Sequence, residues 1–223
     1  MPSDLLATIE LETRPNPTAA VIWMHGLGAD GNDFVSIVGE LDLPKDRGIR
    51  FIFPHAPMRP VTINGGAVMR AWYDIVGSDV TNRGDERGIR DSQMRIEQLI
   101  ARENKRGIAA SKLVLAGFSQ GGVIALQTGL RHPERLAGIM ALSTYLAMPQ
   151  ALAAEAHAAN RDVPIFMAHG TSDPMIRLDW AEASRHALQA NGHAVEWHTY
   201  PMQHSVCLEE VHAIGAWLAR VLA

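Results

Sequence analysis

The feature that most restricts the fold of this 223-residue chain is a repeated alternation: short, almost wholly apolar, β-prone runs separated by longer segments with apolar residues three and four apart. The runs are Ala20 to Met24, Ile49 to Phe53, Lys112 to Ala116, Leu136 to Leu142, Val163 to Ala168 and Ala194 to Tyr200. Strands that are apolar throughout are covered on both faces, and strands interleaved with helices are joined by crossovers. The expected class is therefore α/β, with a mostly parallel central sheet and helices on both faces. Residues 5–12 can add an edge strand. Ile89, Ile96, Leu99 and Ile100 mark one helix. Ile176, Trp180, Ala183 and Ala187 mark another, ended by Asn191-Gly192 because these residues tolerate left-handed backbone. A terminal helix with one buried stripe follows Leu208, Val211, Ile214, Leu218 and Val221.

Residues 54–87 break the pattern, being rich in Pro, Gly, Asn and Arg around Trp72-Tyr73. They are expected to form a long irregular loop, which in a compact domain is usually functional or disordered. No repeat, low-complexity tract or linker divides the chain, so residues 1–223 read as one domain. With 47% hydrophobic and 20% charged residues the chain can bury a substantial core, and a formal charge of -4 offers no basic field for nucleic acid. The N-terminus lacks the basic and apolar regions of a secretory signal, and no apolar stretch approaches the ~20 residues that span a bilayer. A cytoplasmic protein without stable membrane insertion is expected. The single Cys207 excludes an internal disulfide, and ten histidines without H-x-x-x-H or paired-cysteine spacing give no metal signature. No cofactor motif is present either.

Gly117-Phe118-Ser119-Gln120-Gly121 matches G-x-S-x-G, in which the glycines make room for a serine on a sharp strand-to-helix turn. Chance alone flanks a given serine in this way about 0.5% of the time. Context adds weight: a buried strand ends just before the motif, and the apolar segment Gly122 to Leu130 begins a helix just after it. Ser119 is thus the candidate nucleophile of an α/β-hydrolase, against the alternative of an inert serine in a Gly-rich turn. A serine needs a histidine base, itself oriented by a carboxylate, and in this fold they follow in the order Ser, acid, His. His204 lies just beyond the last strand, whereas His193, His198 and His212 lie before it, within it and on the terminal helix. Asp173 lies just beyond the Val163 to Ala168 strand, with a turn or N-cap aspartate as its alternative reading. Activity is expected to rise with pH as the histidine loses its proton.

Negative charge that develops on a carbonyl oxygen requires two fixed backbone donors. One is expected from Gln120. The other is assigned to the Leu27 N–H, in the Gly-rich turn His25-Gly26-Leu27-Gly28-Ala29-Asp30-Gly31 that follows the first central strand. The alternatives there are a structural turn or a phosphate loop, although G-K-[ST] is missing.

These segments, together with P-H-A-P-M-R-P-V-T at 54–62, A-W-Y-D-I at 71–75, H-G-x-x-D at 169–173 and H-S-V-C at 204–207, resemble the phospholipase/carboxylesterase family, which includes the acyl-protein thioesterases. The resemblance covers nearly the whole chain. It implies the same triad and places the loop carrying Trp72 beside the acyl site; from the residues alone, a packing role for Trp72 is equally open. One departure is Gln203, where many members carry glycine, and its larger side chain is expected to narrow the pocket or reshape the His204 loop. The expected activity is hydrolysis of short to medium acyl esters, with acylated protein cysteines or lysophospholipids as alternative substrates. Two other readings compete: a hydrolase-fold module that binds without catalysing, and a dienelactone-hydrolase-like enzyme, which would place cysteine at the elbow. Cys207 is instead expected to be a packing residue at a helix start, with a reactive thiol as the alternative. The sequence does not determine oligomeric state, and a homodimer is a common arrangement for such enzymes.

Overall fold

The computed structural model describes residues 5–77 and 85–223. Seven strands form one sheet: β1 (Thr8–Glu12), β2 (Ala19–Met24), β3 (Ile49–Pro54), β6 (Leu113–Phe118), β7 (Gly138–Leu142), β8 (Ile165–Gly170) and β9 (Val195–Tyr200). Their spatial order is β1-β3-β2-β6-β7-β8-β9, and every pair is parallel except the edge pair β1/β3. The chain thus has the α/β-hydrolase architecture, a mostly parallel sheet with helices on both sides.

Side-chain alternation along each strand divides the core in two. Ala20, Ile22 and Met24 of β2 and Leu113 and Leu115 of β6 face one layer. That layer is completed by α1 (Glu86–Lys105), α2 (Gln120–Gly129), α3 (Pro149–Glu155) and α4 (Leu178–Ala190). Val21 and Trp23 of β2 and Val114 and Ala116 of β6 face the other layer, closed by α5 (Leu208–Val221) and the short 3-10 turn at Ser36–Glu40. Two buried faces explain why these strands read as unbroken apolar runs. No helix among the described residues is long and apolar enough to cross a membrane.

Three expectations need correction. Residues 54–87 are not irregular throughout: β4 (Met58–Val61) and β5 (Ala67–Arg70) form an antiparallel hairpin, and α1 begins at Glu86. Residues 78–84 of that expected loop lie outside the described residues. The stripe expected on α4 is displaced, since its buried residues are Ala181, Ser184 and Leu188, while Ala183 is exposed and Ile176 precedes the helix. Trp180 and Ala187 still pack against the same core layer, which Ile176 joins from the preceding loop. Finally, β6 and β8 run further than the apolar pattern indicated, so Gly117, Phe118, His169 and Gly170 are strand residues.

Candidate active site

The strand ends bring the relevant loops together at the carboxyl edge of the sheet, where ligands of open α/β sheets bind. β6 passes directly into α2 through Ser119, whose backbone lies at φ 55°, ψ -119°. That strained turn is held on two sides: the Ser119 N–H donates to the Leu142 carbonyl at 2.9 Å, and the Ser119 carbonyl accepts from Thr144 Oγ1 at 2.7 Å. The flanking glycines are sterically required. A Cβ on Gly117 would lie 2.1 Å from the Gly121 carbonyl carbon, and one on Gly121 would lie 2.2 Å from the Met24 carbonyl oxygen.

Asp173 follows β8 and uses its two carboxylate oxygens differently. Oδ1 accepts the N–H groups of Met175 and Ile176 at 2.8 and 2.9 Å, the local turn role. Oδ2 meets His204 Nδ1 at 2.6 Å. Burial works to raise the Asp173 carboxyl, but the bonds from His204, Ile176 and Met175 outweigh it and hold it below its ordinary value. Because an ionised carboxylate only accepts, His204 Nδ1 carries the proton and Nε2 is left as the basic nitrogen. His169 donates from Nε2 to the Ile176 carbonyl at 2.8 Å, which secures the same loop. The Phe118 ring packs on the His204 imidazole with centroids 4.7 Å apart.

Ser119, His204, Leu27 and Gln120 all line one mostly apolar cavity of about 410 Å³. Ser119 Oγ and the imidazole share it without a hydrogen bond between them; such contacts often tighten only when substrate is bound. Gln120 is the first residue of α2, so its N–H has no intrahelical acceptor, and the helix dipole favours negative charge beside it. The Leu27 N–H likewise has no backbone acceptor among the described residues.

The His25 side chain and the Gln120 amide, the latter expected from the sequence only for its backbone N–H, hold these two turns in place. His25 is buried, and its Nε2 accepts the Ala56 N–H at 3.0 Å. Its Nδ1 therefore carries the hydrogen and donates to the Gly26 carbonyl at 2.7 Å. Burial, against that carbonyl, depresses the imidazole to about 4, so it stays neutral. Gln120 reaches across to the 71–75 segment: its Oε1 accepts the Trp72 N–H at 3.0 Å and its Nε2 donates to the Tyr73 carbonyl at 2.9 Å.

Trp72 requires a correction. Its side chain is fully buried, donates from Nε1 to the His25 carbonyl at 2.9 Å and does not line the cavity, whereas its neighbour Tyr73 does. Trp72 therefore braces the Leu27 turn from behind. Gln203 is exposed and also absent from the lining, so it does not narrow the pocket. Cys207 is the half-buried N-cap residue of α5, and burial raises its thiol above the ordinary value, the opposite of an activated thiolate. Among the described residues no group of three or more His, Cys, Asp or Glu side chains could hold a metal.

The sequence profile of the phospholipase/carboxylesterase family matches residues 7–222. Acyl-protein thioesterase 1 of Neurospora crassa is 41% identical over 214 residues, covering 92% of this chain and 87% of that protein. Acyl-protein thioesterase 1 of Yarrowia lipolytica is 36% identical over 215 residues, covering 94% and 95%. Among solved structures, Arabidopsis thaliana SOBER1 superposes with a TM-score of 0.86 at 29% identity, covering 92% of this chain and 99% of its own. Zea mays acyl-protein thioesterase 2 superposes with a TM-score of 0.84 at 26% identity, covering 97% and 99%.

Proposed function

The chain belongs to the phospholipase/carboxylesterase family and is a hydrolase of the esterase kind, and on that premise we propose that it cleaves acyl thioesters and esters through Ser119, His204 and Asp173. The observation that carries the proposal is the Asp173–His204 bond, whose histidine lines the same cavity as Ser119. In this mechanism Ser119 Oγ attacks the acyl carbon as its proton passes to His204 Nε2. The tetrahedral oxyanion accepts hydrogen bonds from the Leu27 and Gln120 N–H groups. Collapse breaks the bond to the leaving group, which departs with the proton held by His204. Water, deprotonated by the same nitrogen, then attacks the acyl carbon, and collapse breaks the bond to Ser119 Oγ, which takes back the proton from His204 as the carboxylic acid leaves.

The thioesterase alternative takes precedence over the plain short-chain ester reading, because the named relatives are acyl-protein thioesterases. The cavity's apolar side chains, among them Ile63, Met69 and Ile75, suit an acyl chain. A panel of aryl esters of increasing chain length, run beside S-acylated peptides and a lysophospholipid, tests this. The expected result is kcat/KM highest on the S-acyl peptides, abolished by Ser119→Ala in a protein with an unchanged melting profile. Full activity in that variant would overturn the mechanism, and preference for the lysophospholipid would overturn the substrate assignment.

A further inference from the structure

The rim of the cavity carries a carboxylate whose place in the reaction is not accounted for by the acyl chain. The turn after Leu27 is closed by Asp30: its Oδ1 accepts the Asn32 N–H at 2.8 Å, and its carbonyl accepts the Asp33 N–H at 3.1 Å. Asp30 is thereby occupied within the turn. Asp33, by contrast, lines the cavity, and no ion pair or side-chain hydrogen bond accompanies its carboxylate among the described residues. The described lining contains no lysine or arginine; its other titratable residues are His204, Tyr73 and Tyr145. Asp33 is solvent-exposed where it lines the cavity, so it stands at the rim as a hydrated anion, and the neighbouring Asp30 adds a second negative charge there.

A carboxylate at the rim of an ester-cleaving cavity repels an anionic substrate and attracts a cationic one. It becomes favourable when the bound molecule brings a positive charge to the Asp33 side of the cavity. The hydrophobic lining from Ile63, Met69 and Ile75 suits the acyl part, which leaves the charge to the leaving group. We propose that Asp33 is a specificity-determining residue that selects esters and thioesters whose leaving group carries an ammonium charge. This rests on the proposed role of Ser119 and adds the leaving-group class to it.

The test uses three thioesters of one acyl chain: the cationic thiocholine, its uncharged 3,3-dimethylbutanethiol isostere, and the anionic 3-mercaptopropionate. The expected order of kcat/KM is cationic, neutral, anionic, with a cationic-to-neutral ratio of about two- to fivefold, the size of one exposed charge pair. Asp33→Asn is expected to bring that ratio close to one, Asp33→Glu to keep its direction, and molar salt to shrink it in the parent enzyme. A ratio near one in the parent, or a ratio that survives Asp33→Asn, would overturn the proposal while turnover of the neutral thioester still supports the Ser119 reading. Failure of the parent to cleave any of the three would overturn both.

Discussion

Asp173 combines the two roles that its position in the sequence left open, turn former and orienting acid, and each belongs to one oxygen. Asp173→Asn can keep a carbonyl oxygen for the Met175 and Ile176 N–H groups while presenting an amide to His204, which forces the imidazole into the wrong tautomer. The expected result is a fall in kcat of about four orders of magnitude with a nearly unchanged melting temperature. A fall of less than tenfold would remove Asp173 from the mechanism. Ser119, Asp173 and His204 were legible as candidates because each follows a strand, in the order expected for this fold. His25 and Gln120 were not legible as braces, since their partners lie far away in the chain, at Ala56 and at Trp72 and Tyr73. Trp72 was legible as an aromatic near the site, but only the fold shows that it faces the back of the Leu27 turn.

At the scale of elements, the β6–α2 elbow depends on α2 approaching the carbonyl end of β2 at the distance of bare backbone. Gly121→Ala would set a methyl group 2.2 Å from the Met24 oxygen and 2.7 Å from the His25 oxygen, so the turn carrying Leu27 must move. The variant is expected to lose about 1–3 kcal/mol of stability and to lose kcat more than KM, measured by thermal unfolding beside ester kinetics. Parental stability and kinetics would show that the elbow tolerates displacement. The central strands were readable because both of their faces are covered. The β4–β5 hairpin was not, because Met58 and Val68 are exposed, Pro60 interrupts one strand and Gly65-Gly66 forms the turn. α3 escaped notice because it is a short helix from Pro149 to Glu155 with one buried residue, Leu152.

For the whole molecule, the sheet serves as a frame whose carboxyl edge carries Ser119, Asp173 and His204, while α5 closes the opposite layer. The closure buries Glu210 completely, and burial pushes its carboxyl from 4.5 up to about 8. The folded protein therefore holds a proton that the unfolded chain releases near 4.5, so the stability it contributes is present below that value and is lost as pH rises to about 8. Between pH 6.5 and 8, above the range in which the depressed His25 contributes with the opposite sign, urea unfolding should show stability declining with pH, and Glu210→Gln should flatten the decline; an identical slope in both proteins would contradict the assignment. The central claim is that the frame delivers one activated serine to the cavity. Its most direct test is labelling the native protein with a fluorophosphonate and mapping the adduct by peptide mass spectrometry. The account predicts a single adduct on Ser119, strongly slowed by His204→Ala and absent in Ser119→Ala; an adduct at another residue, or none while thioester hydrolysis continues, would contradict it.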